Sequence, residues 1–247
     1  MKKIKYSASL LLISFILSSC EVTYKKETLT QDLEKLVEKE AREKSKAYIV
    51  GKTLYLDIKV DGLSLPGDRE VFYKALRKVQ IADGDISRVV LSSNSDIKFM
   101  VVTAYDPAYT ILFRVVQNID DIKSYFYMRI SRSDYESRSL IEMFGSSIHK
   151  IIRDKHDVSK EEFVGRIIAT RLNAFQGAGV SVRYLDVRNK VLFLGVLETL
   201  GEKNVPLIED FLKKQLSDYS KKYNTPFNSI EILDFKGRVG ISVSLNY

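Results

Sequence analysis

The feature that most constrains this chain is an order of helices and hairpins that occurs twice. In each half, apolar residues at helical spacing are followed by two strand-like runs joined by a short turn, and the order then repeats. Helices predicted near residues 30 and 69 correspond to helices near 160 and 205. The pattern predicts an α+β fold of two modules, each a helix-hairpin-helix-hairpin unit with its helices packed on an antiparallel sheet.

The clearest strand signals are alternating residues next to tight turns. Gly51-Lys52 is typical of a two-residue hairpin turn with glycine first. After it, Leu54, Leu56 and Ile58 alternate with polar residues, and residues 239–245 alternate in the same way. Both runs indicate strands with one buried face.

Two stretches of the first half have less regular patterns. Asp83-Gly84-Asp85 resembles a turn and predicts the end of a helix that Asp68 opens. Ile86 to Leu91 is then predicted as a strand. Farther along, we predict a strand from Tyr125 to Ile130 and a helix over residues 140–151.

The first twenty residues have the arrangement of an export signal. Three of the first five residues are lysine, an apolar run extends from Ala8 to Leu17, and small residues precede Cys20. The apolar run is about half as long as the ~20 residues that a spanning helix needs. We therefore expect the leader to be cleaved and not retained as a membrane span.

Leu17-Ser18-Ser19-Cys20 resembles the lipobox of bacterial lipoproteins. The resemblance implies that Cys20 is acylated and becomes the first residue of the mature chain, anchored by two or three acyl chains, since one alone binds a bilayer marginally. Glu21 in place of aspartate implies the outer membrane, on its periplasmic face, if the source has two membranes. The alternative is an ordinary thiol in a leader that is cleaved elsewhere. Because Cys20 is the only cysteine, no internal disulfide is possible.

These patterns divide the chain into five segments. They are 1–19, a signal peptide; 20–27, a lipidated tether; 28–117, the first α+β module; 118–158, an inter-module region; and 159–247, the second α+β module.

The net charge does not indicate a nucleic-acid partner. The whole chain carries +7, but three lysines leave with the leader, so 36 basic minus 32 acidic residues give +4. A moderate excess of this kind favours solubility and attraction to anionic surfaces. An exported, anchored body also rarely meets nucleic acid, and none is expected as a partner.

The side chains do not form a recognisable catalytic motif. His149 and His156 are the only histidines, and together with Asp154 and Asp157 they suggest either a metal or acid–base site or a polar surface turn. The turn is the favoured interpretation, because zinc sites need three or four ligands at short spacings. The sequence contains neither Gly-x-Ser-x-Gly nor a glycine-rich phosphate loop. We predict no catalytic residue, no metal ligand and no cofactor.

One stretch, residues 123–138, has an unusual composition. Its aromatic and arginine residues are Tyr125, Phe126, Tyr127, Arg129, Arg132, Tyr135 and Arg138. Such residues are enriched at protein interfaces, and the same mixture binds anionic ligands. The alternative is an ordinary strand whose aromatic side lies in the core and whose arginines are solvated.

These observations favour a membrane-anchored envelope lipoprotein with a non-catalytic, partner-binding body that serves envelope assembly or maintenance. Its partners would be a membrane, through acyl chains on Cys20, and an envelope protein. A binder of a lipid or small amphiphile would instead have a cavity lined by Leu, Ile and Phe. An envelope hydrolase would have acidic, tyrosine or histidine side chains that converge in a cleft.

The module order is also loosely similar to the BON domain of envelope proteins. Val191-Leu192-Phe193-Leu194-Gly195 resembles that family's apolar strand ending in glycine. The similarity covers one module.

Overall fold

A computed structural model describes residues 24–63, 68–145, 147–175, 179–197, 204–225 and 227–244. The elements in chain order are α1 (Leu29–Glu40), β1 (Ser45–Val50), β2 (Thr53–Lys59), α2 (Arg69–Leu91), β3 (Phe99–Tyr105), β4 (Leu112–Asn118), α3 (Ile119–Phe126), α4 (Arg132–Arg138), β5 (Leu140–Phe144), α5 (Ile148–Arg153), α6 (Lys160–Ala174), β6 (Val182–Arg188), β7 (Val191–Val196), α7 (Val205–Tyr223), β8 (Ser229–Leu233) and β9 (Val239–Ser244). The predicted leader and Cys20 lie outside the described residues.

The strands form two sheets, one in each half of the chain. Sheet 1 has the order β1-β2-β3-β4-β5, and sheet 2 has the order β6-β7-β8-β9. The α+β class and the two-module organisation are therefore confirmed. Within the described ranges, no helix has both the length and the apolar character needed to cross a membrane.

The first four strands of sheet 1 are paired in the same way as the four strands of sheet 2, and β5 adds an antiparallel edge to sheet 1. The outer pairs are antiparallel hairpins, as the alternation and the turns predict. The prediction that each sheet is antiparallel is wrong for the central pairs, β2 with β3 and β7 with β8, which are parallel. A helix joins the strands of each central pair, and a helical crossover returns the chain in the same direction, which makes the pair parallel.

The helices and sheets form four layers. α1 and α2 cover one face of sheet 1, where they pack on β2 and β3. α6 and α7 lie between the other face of sheet 1 and one face of sheet 2. β2 and β3 are consequently buried on both faces, whereas β9 alternates between buried and exposed residues.

The middle helix layer joins the two modules through apolar and polar contacts. The rings of Phe99 in β3 and Phe163 in α6 lie 5.3 Å apart. The Tyr223 ring packs against Phe163, its hydroxyl donates to Asp121 Oδ2 at 2.6 Å, and Arg138 Nη1 donates to Asp121 Oδ1 at 2.9 Å. Burial and the adjacent Asp121 raise the pKa of Tyr223, so its hydroxyl keeps the proton that it donates.

The prediction of a strand from Ile86 to Leu91 is wrong, because α2 continues to Leu91. Ile86, Val89 and Val90 are spaced for one helix face, and all three are buried. Gly84, which indicated a turn, lies on the exposed side of the helix with no atom within 4 Å of the position of a Cβ. A glycine in that position weakens a helix without ending it.

Two predictions between the modules also need correction. The predicted strand from Tyr125 to Ile130 is instead the end of α3 and a turn. The predicted helix over residues 140–151 is divided into the edge strand β5 and the short helix α5. Short apolar runs fit both helix and strand periodicity, and β5 is fixed by its pairing with β4.

Candidate binding cleft between two sheet edges

A surface cleft of about 540 Å³ lies where the edges of the two sheets approach each other, and we call it the inter-sheet cleft. One wall is β5, the last strand of sheet 1, and the other includes the start of β6, the first strand of sheet 2. α6 forms the floor between them. Neither strand pairs with a further strand on its outer side among the described residues.

The backbone edges of both strands line this cleft. Four consecutive residues of β5, 141–144, and three consecutive residues of β6, 182–184, contribute to its lining. Side chains of successive strand residues point to opposite faces of a sheet. A cleft lined by consecutive residues is therefore bordered by the strand edge, where unpaired N–H and C=O groups are found.

An asparagine side chain occupies the first outward-facing backbone groups of the β6 edge. The Asn173 side chain accepts a hydrogen bond from the Val182 N–H at 2.7 Å and donates one to the Val182 carbonyl at 2.8 Å. A single side-chain amide thus makes both bonds that a neighbouring strand would make. It pairs with Val182, at the first position of β6.

The floor of the cleft carries a buried ion network. Arg166 of α6 donates from Nη1 to Glu162 at 3.0 Å and from Nε to Glu142 of β5 at 3.1 Å. The Arg166 side chain is only 12% exposed. Burial lowers its pKa, but Glu142 and Glu162 more than offset this and raise the pKa of the guanidinium above its ordinary value. The network ties the edge of sheet 1 to α6.

His156 extends this network to the rim. Its Nε2 lies 2.8 Å from Glu162 Oε2, and the imidazole is partly exposed. His149 lies elsewhere, with its ring 4.2 Å from that of Tyr109. Asp157, another residue of the predicted polar turn, accepts a hydrogen bond from the Lys52 N–H at 2.8 Å and so supports the β1–β2 turn.

The described residues contain no group of three or more His, Cys, Asp or Glu side chains placed to hold a metal ion.

Arg114 lies at the end of the cleft and is buried. Its Nη2 donates to the Ile151 carbonyl at 2.6 Å, and its guanidinium lies over the Phe144 ring. Its Nε is buried and has no hydrogen-bond partner among the described residues. Burial lowers the pKa of Arg114. A buried donor without a partner is costly, so this end of the cleft favours an acceptor such as a peptide carbonyl.

The aromatic and arginine residues predicted as an interaction patch divide into two sets. One set is tied into the body. Tyr125 and Tyr135 stack with ring centroids 4.7 Å apart, and Arg138 pairs with Asp121 and Asp134. Tyr135 accepts a hydrogen bond from Gln117 Nε2 at 2.7 Å.

The second set is on the surface at the end of α3. Phe126 and Tyr127 are 61% and 68% exposed, and the Arg129 guanidinium lies over the Tyr127 ring. Arg132, also exposed, forms a salt bridge with Glu136 one turn along α4. Of the predicted patch, the structure therefore leaves Phe126, Tyr127 and Arg129 as the groups most available to a partner.

Sequence reasoning did not find the inter-sheet cleft. Glu162 and Arg166 stand four residues apart, a spacing that indicates a helical ion pair. Nothing in the sequence indicated that Glu142, in a stretch predicted as helix, would join them from a sheet edge. The cleft depends on contacts between residues far apart in the chain.

Compared with protein families, with curated proteins and with solved structures, the chain matches none. The similarity of one module to the BON domain gains no support from a family match.

Proposed function

We propose that this chain is a membrane-anchored envelope lipoprotein, acylated at Cys20, whose body binds a partner protein without catalysis. The observation that supports the binding role best is the inter-sheet cleft, where the open edges of two sheets lie on either side of one groove. An extended segment that adds to a sheet edge gains main-chain hydrogen bonds, and side-chain pockets give specificity. The partner would offer such a segment.

The walls and floor of the cleft suit an extended peptide. Ile141 and Met143 of β5 are exposed at the rim and would cover apolar side chains of the partner. Arg114 offers a buried donor at one end. Because Glu142, Glu162 and Arg166 satisfy each other, the floor favours polar, uncharged peptide groups over a highly charged ligand.

The test is site-specific crosslinking in intact cells followed by mass spectrometry. A photo-crosslinking phenylalanine replaces Met143 at the cleft, and in a control it replaces Phe235, which is similarly exposed in the β8–β9 turn. We expect position 143 to capture a distinct envelope protein and position 235 to capture none. Met143→Arg, which places a charge at the strand edge, should reduce association with that protein several-fold.

Equal capture from the two positions, or no capture from position 143, would contradict a binding role for the cleft. Recovery of the protein free of membranes and without acyl chains would contradict the anchoring role.

An envelope hydrolase is the second candidate, because acidic, tyrosine and histidine side chains do converge in the cleft. Glu162 orients the His156 imidazole, as a catalytic base requires. Among the described residues, however, no Ser, Thr or Cys side chain is hydrogen-bonded to that imidazole. His156→Gln separates the two functions, since it would abolish hydrolysis and leave crosslinking from position 143 intact; His149→Gln is the matched control.

A further inference from the structure

Residues 126–129, which we call the α3 tip, expose three large apolar side chains in succession. Phe126, Tyr127 and Met128 are 61%, 68% and 92% exposed, and Arg129 follows them. Single exposed apolar residues are common on soluble proteins, but contiguous ones mark sites of interaction with proteins or membranes.

The α3 tip is held in a defined backbone conformation. The N–H groups of Tyr127, Met128 and Arg129 donate to carbonyls of the last turn of α3, at 2.8 to 2.9 Å. Met128 has a φ of 54°, in the left-handed region that glycine usually occupies at a helix end. A large side chain is thus held at the most exposed position of a turn, in a backbone conformation that would be less strained for glycine.

The α3 tip lies close to the point where the proposed lipid tether enters the body. Tyr24, the first described residue, donates its N–H to the Ser92 carbonyl at 3.3 Å. Ser92 and Phe126 line the same surface cleft, of about 490 Å³, together with Leu91, the last residue of α2. Only three residues lie between Cys20 and Tyr24, so the Cα atoms of the two are at most about 14 Å apart. Acyl chains on Cys20 would therefore hold this end of the body at the bilayer.

The charged side chains nearest to the α3 tip along the chain are positive. Lys123 lies in the preceding helical turn and Arg129 is the last residue of the tip, and neither forms a salt bridge among the described residues. Of the carboxylates at this end, Glu40 pairs with Arg88 at 2.8 Å and Asp96 pairs with Lys26 at 2.6 Å, whereas Asp120, at the start of α3, forms no salt bridge among the described residues. Apolar and aromatic groups between cations suit the interface of a bilayer that carries anionic lipids.

From these observations we infer that the α3 tip is a second membrane contact, in which Phe126, Tyr127 and Met128 insert at the headgroup level of the bilayer that holds Cys20. Lys123 and Arg129 then contact anionic headgroups. The inference rests on the proposed acylation of Cys20. A second contact point would prevent the body from rotating about its tether and would fix which side faces the membrane.

The absence of tryptophan from the chain allows a direct test. Met128→Trp places a single tryptophan, which can be excited selectively over the tyrosines, in the α3 tip, and Phe235→Trp places one at another exposed position as a control. The acylated chains are reconstituted in vesicles of phosphatidylethanolamine and phosphatidylglycerol, with and without brominated acyl chains. We expect M128W emission to shift to shorter wavelength and to be quenched by brominated lipid, while F235W emission does neither.

Flotation of the vesicles distinguishes failure of the anchor from failure of this inference. If the protein does not float with the vesicles, acylation at Cys20 is wrong. If it floats but M128W and F235W emit alike, the α3 tip does not enter the bilayer and the inference is overturned. A shift of M128W emission in native membranes, but not in protein-free vesicles, would assign the tip to a protein partner and would also overturn it.

A double charge-reversal variant tests how much the two cations contribute to membrane binding. Combined Lys123→Glu and Arg129→Glu substitutions should reduce quenching of M128W in vesicles with phosphatidylglycerol several-fold, and to a smaller extent in neutral phosphatidylcholine vesicles. An equal response in both lipids would show that the cations do not select anionic headgroups.

Discussion

At the scale of single residues, the carboxyl groups of α2 show the cost of burying a charge. Asp83 Oδ1 is buried without a hydrogen-bond partner among the described residues, and burial raises the pKa of Asp83 to about 6. Unfolded aspartate titrates near pH 3.9. The folded state therefore binds this proton more tightly than the unfolded state, and the associated stability is present below pH ~4 and is lost as the pH rises through about 6.

Asp83→Asn should remove this dependence. Above pH 6 the variant should be more stable than the parent by about 1 to 3 kcal/mol, because a neutral amide replaces a buried, unpaired carboxylate. Near pH 4 the difference in stability between the variant and the parent should be small. Urea unfolding at both pH values measures it, and Asp61→Asn, which removes an exposed carboxylate, controls for net charge. A D83N variant that is no more stable at pH 7.5 than at pH 4, relative to the parent, would show that the carboxyl is solvated.

At the scale of elements, α6 approaches sheet 2 closely because it has a glycine where it crosses the sheet. A Cβ at Gly165 would lie 2.7 Å from Leu192 Cδ1 and 2.7 Å from Tyr184 Cδ2. Leu192 is fully buried and cannot move away. Helix propensity favours alanine over glycine, but at Gly165 the steric contact decides the sign of the change in the free energy of unfolding.

Gly165→Ala should therefore destabilise the fold by about 1 to 3 kcal/mol, as overpacking of a core does. Gly84→Ala is the matched control, since Gly84 is also inside a helix but has no atom within 4 Å of the Cβ position. G84A should stabilise by about 0.5 to 1 kcal/mol through helix propensity alone. Urea unfolding of both variants gives the comparison, and the same sign for the two would show that α6 is not held against β7 as described.

The elements that the sequence predicts correctly are those set by local interactions. The Gly51 turn has a φ of 57°, and Ser159 caps α6 by accepting a hydrogen bond from the Glu162 N–H at 3.0 Å. α2 was divided wrongly because Gly84 and its flanking aspartates resemble a turn, although the core side of the helix continues past them. The parallel central pairs and the β5 edge depend on distant residues, which periodicity does not report.

The same limit applies to the candidate site. Arg138 and Tyr135 resemble interface residues in sequence. In the folded chain, however, Arg138 forms a salt bridge with Asp121 and Tyr135 is hydrogen-bonded to Gln117, and these contacts between distant residues are set by the fold. Composition alone indicated Phe126 and Tyr127, in a stretch predicted as a strand; their exposure follows from the end of α3 at Phe126, which the sequence did not predict.

At the scale of the whole molecule, the two modules share a core. Val101 and Leu140 of sheet 1 belong to the same apolar cluster as α6, α7 and sheet 2. Separation of the modules would expose this surface and break the buried contact of Tyr223 with Asp121. The repeat in the sequence therefore does not produce two independent folding units.

The body should unfold in a single transition. Far-ultraviolet and near-ultraviolet circular dichroism should give the same midpoint in urea, as two-state unfolding requires. Tyr223→Phe should lower that midpoint for both signals together, because it removes a hydrogen bond to a buried carboxylate worth about 1.5 to 3 kcal/mol. Two separate midpoints, or a midpoint that changes for only one signal, would show that the modules unfold independently.

The amide of Asn173 on the backbone of Val182 has a consequence for the protein's behaviour at high concentration. Open strand edges recruit any strand that reaches them, including those of identical molecules. Because this amide occupies the first residue of β6, a second copy would have to displace it before pairing along the strand. Asn173 thus hinders edge pairing at Val182, and the proposed peptide ligand would compete with it for the same two hydrogen bonds.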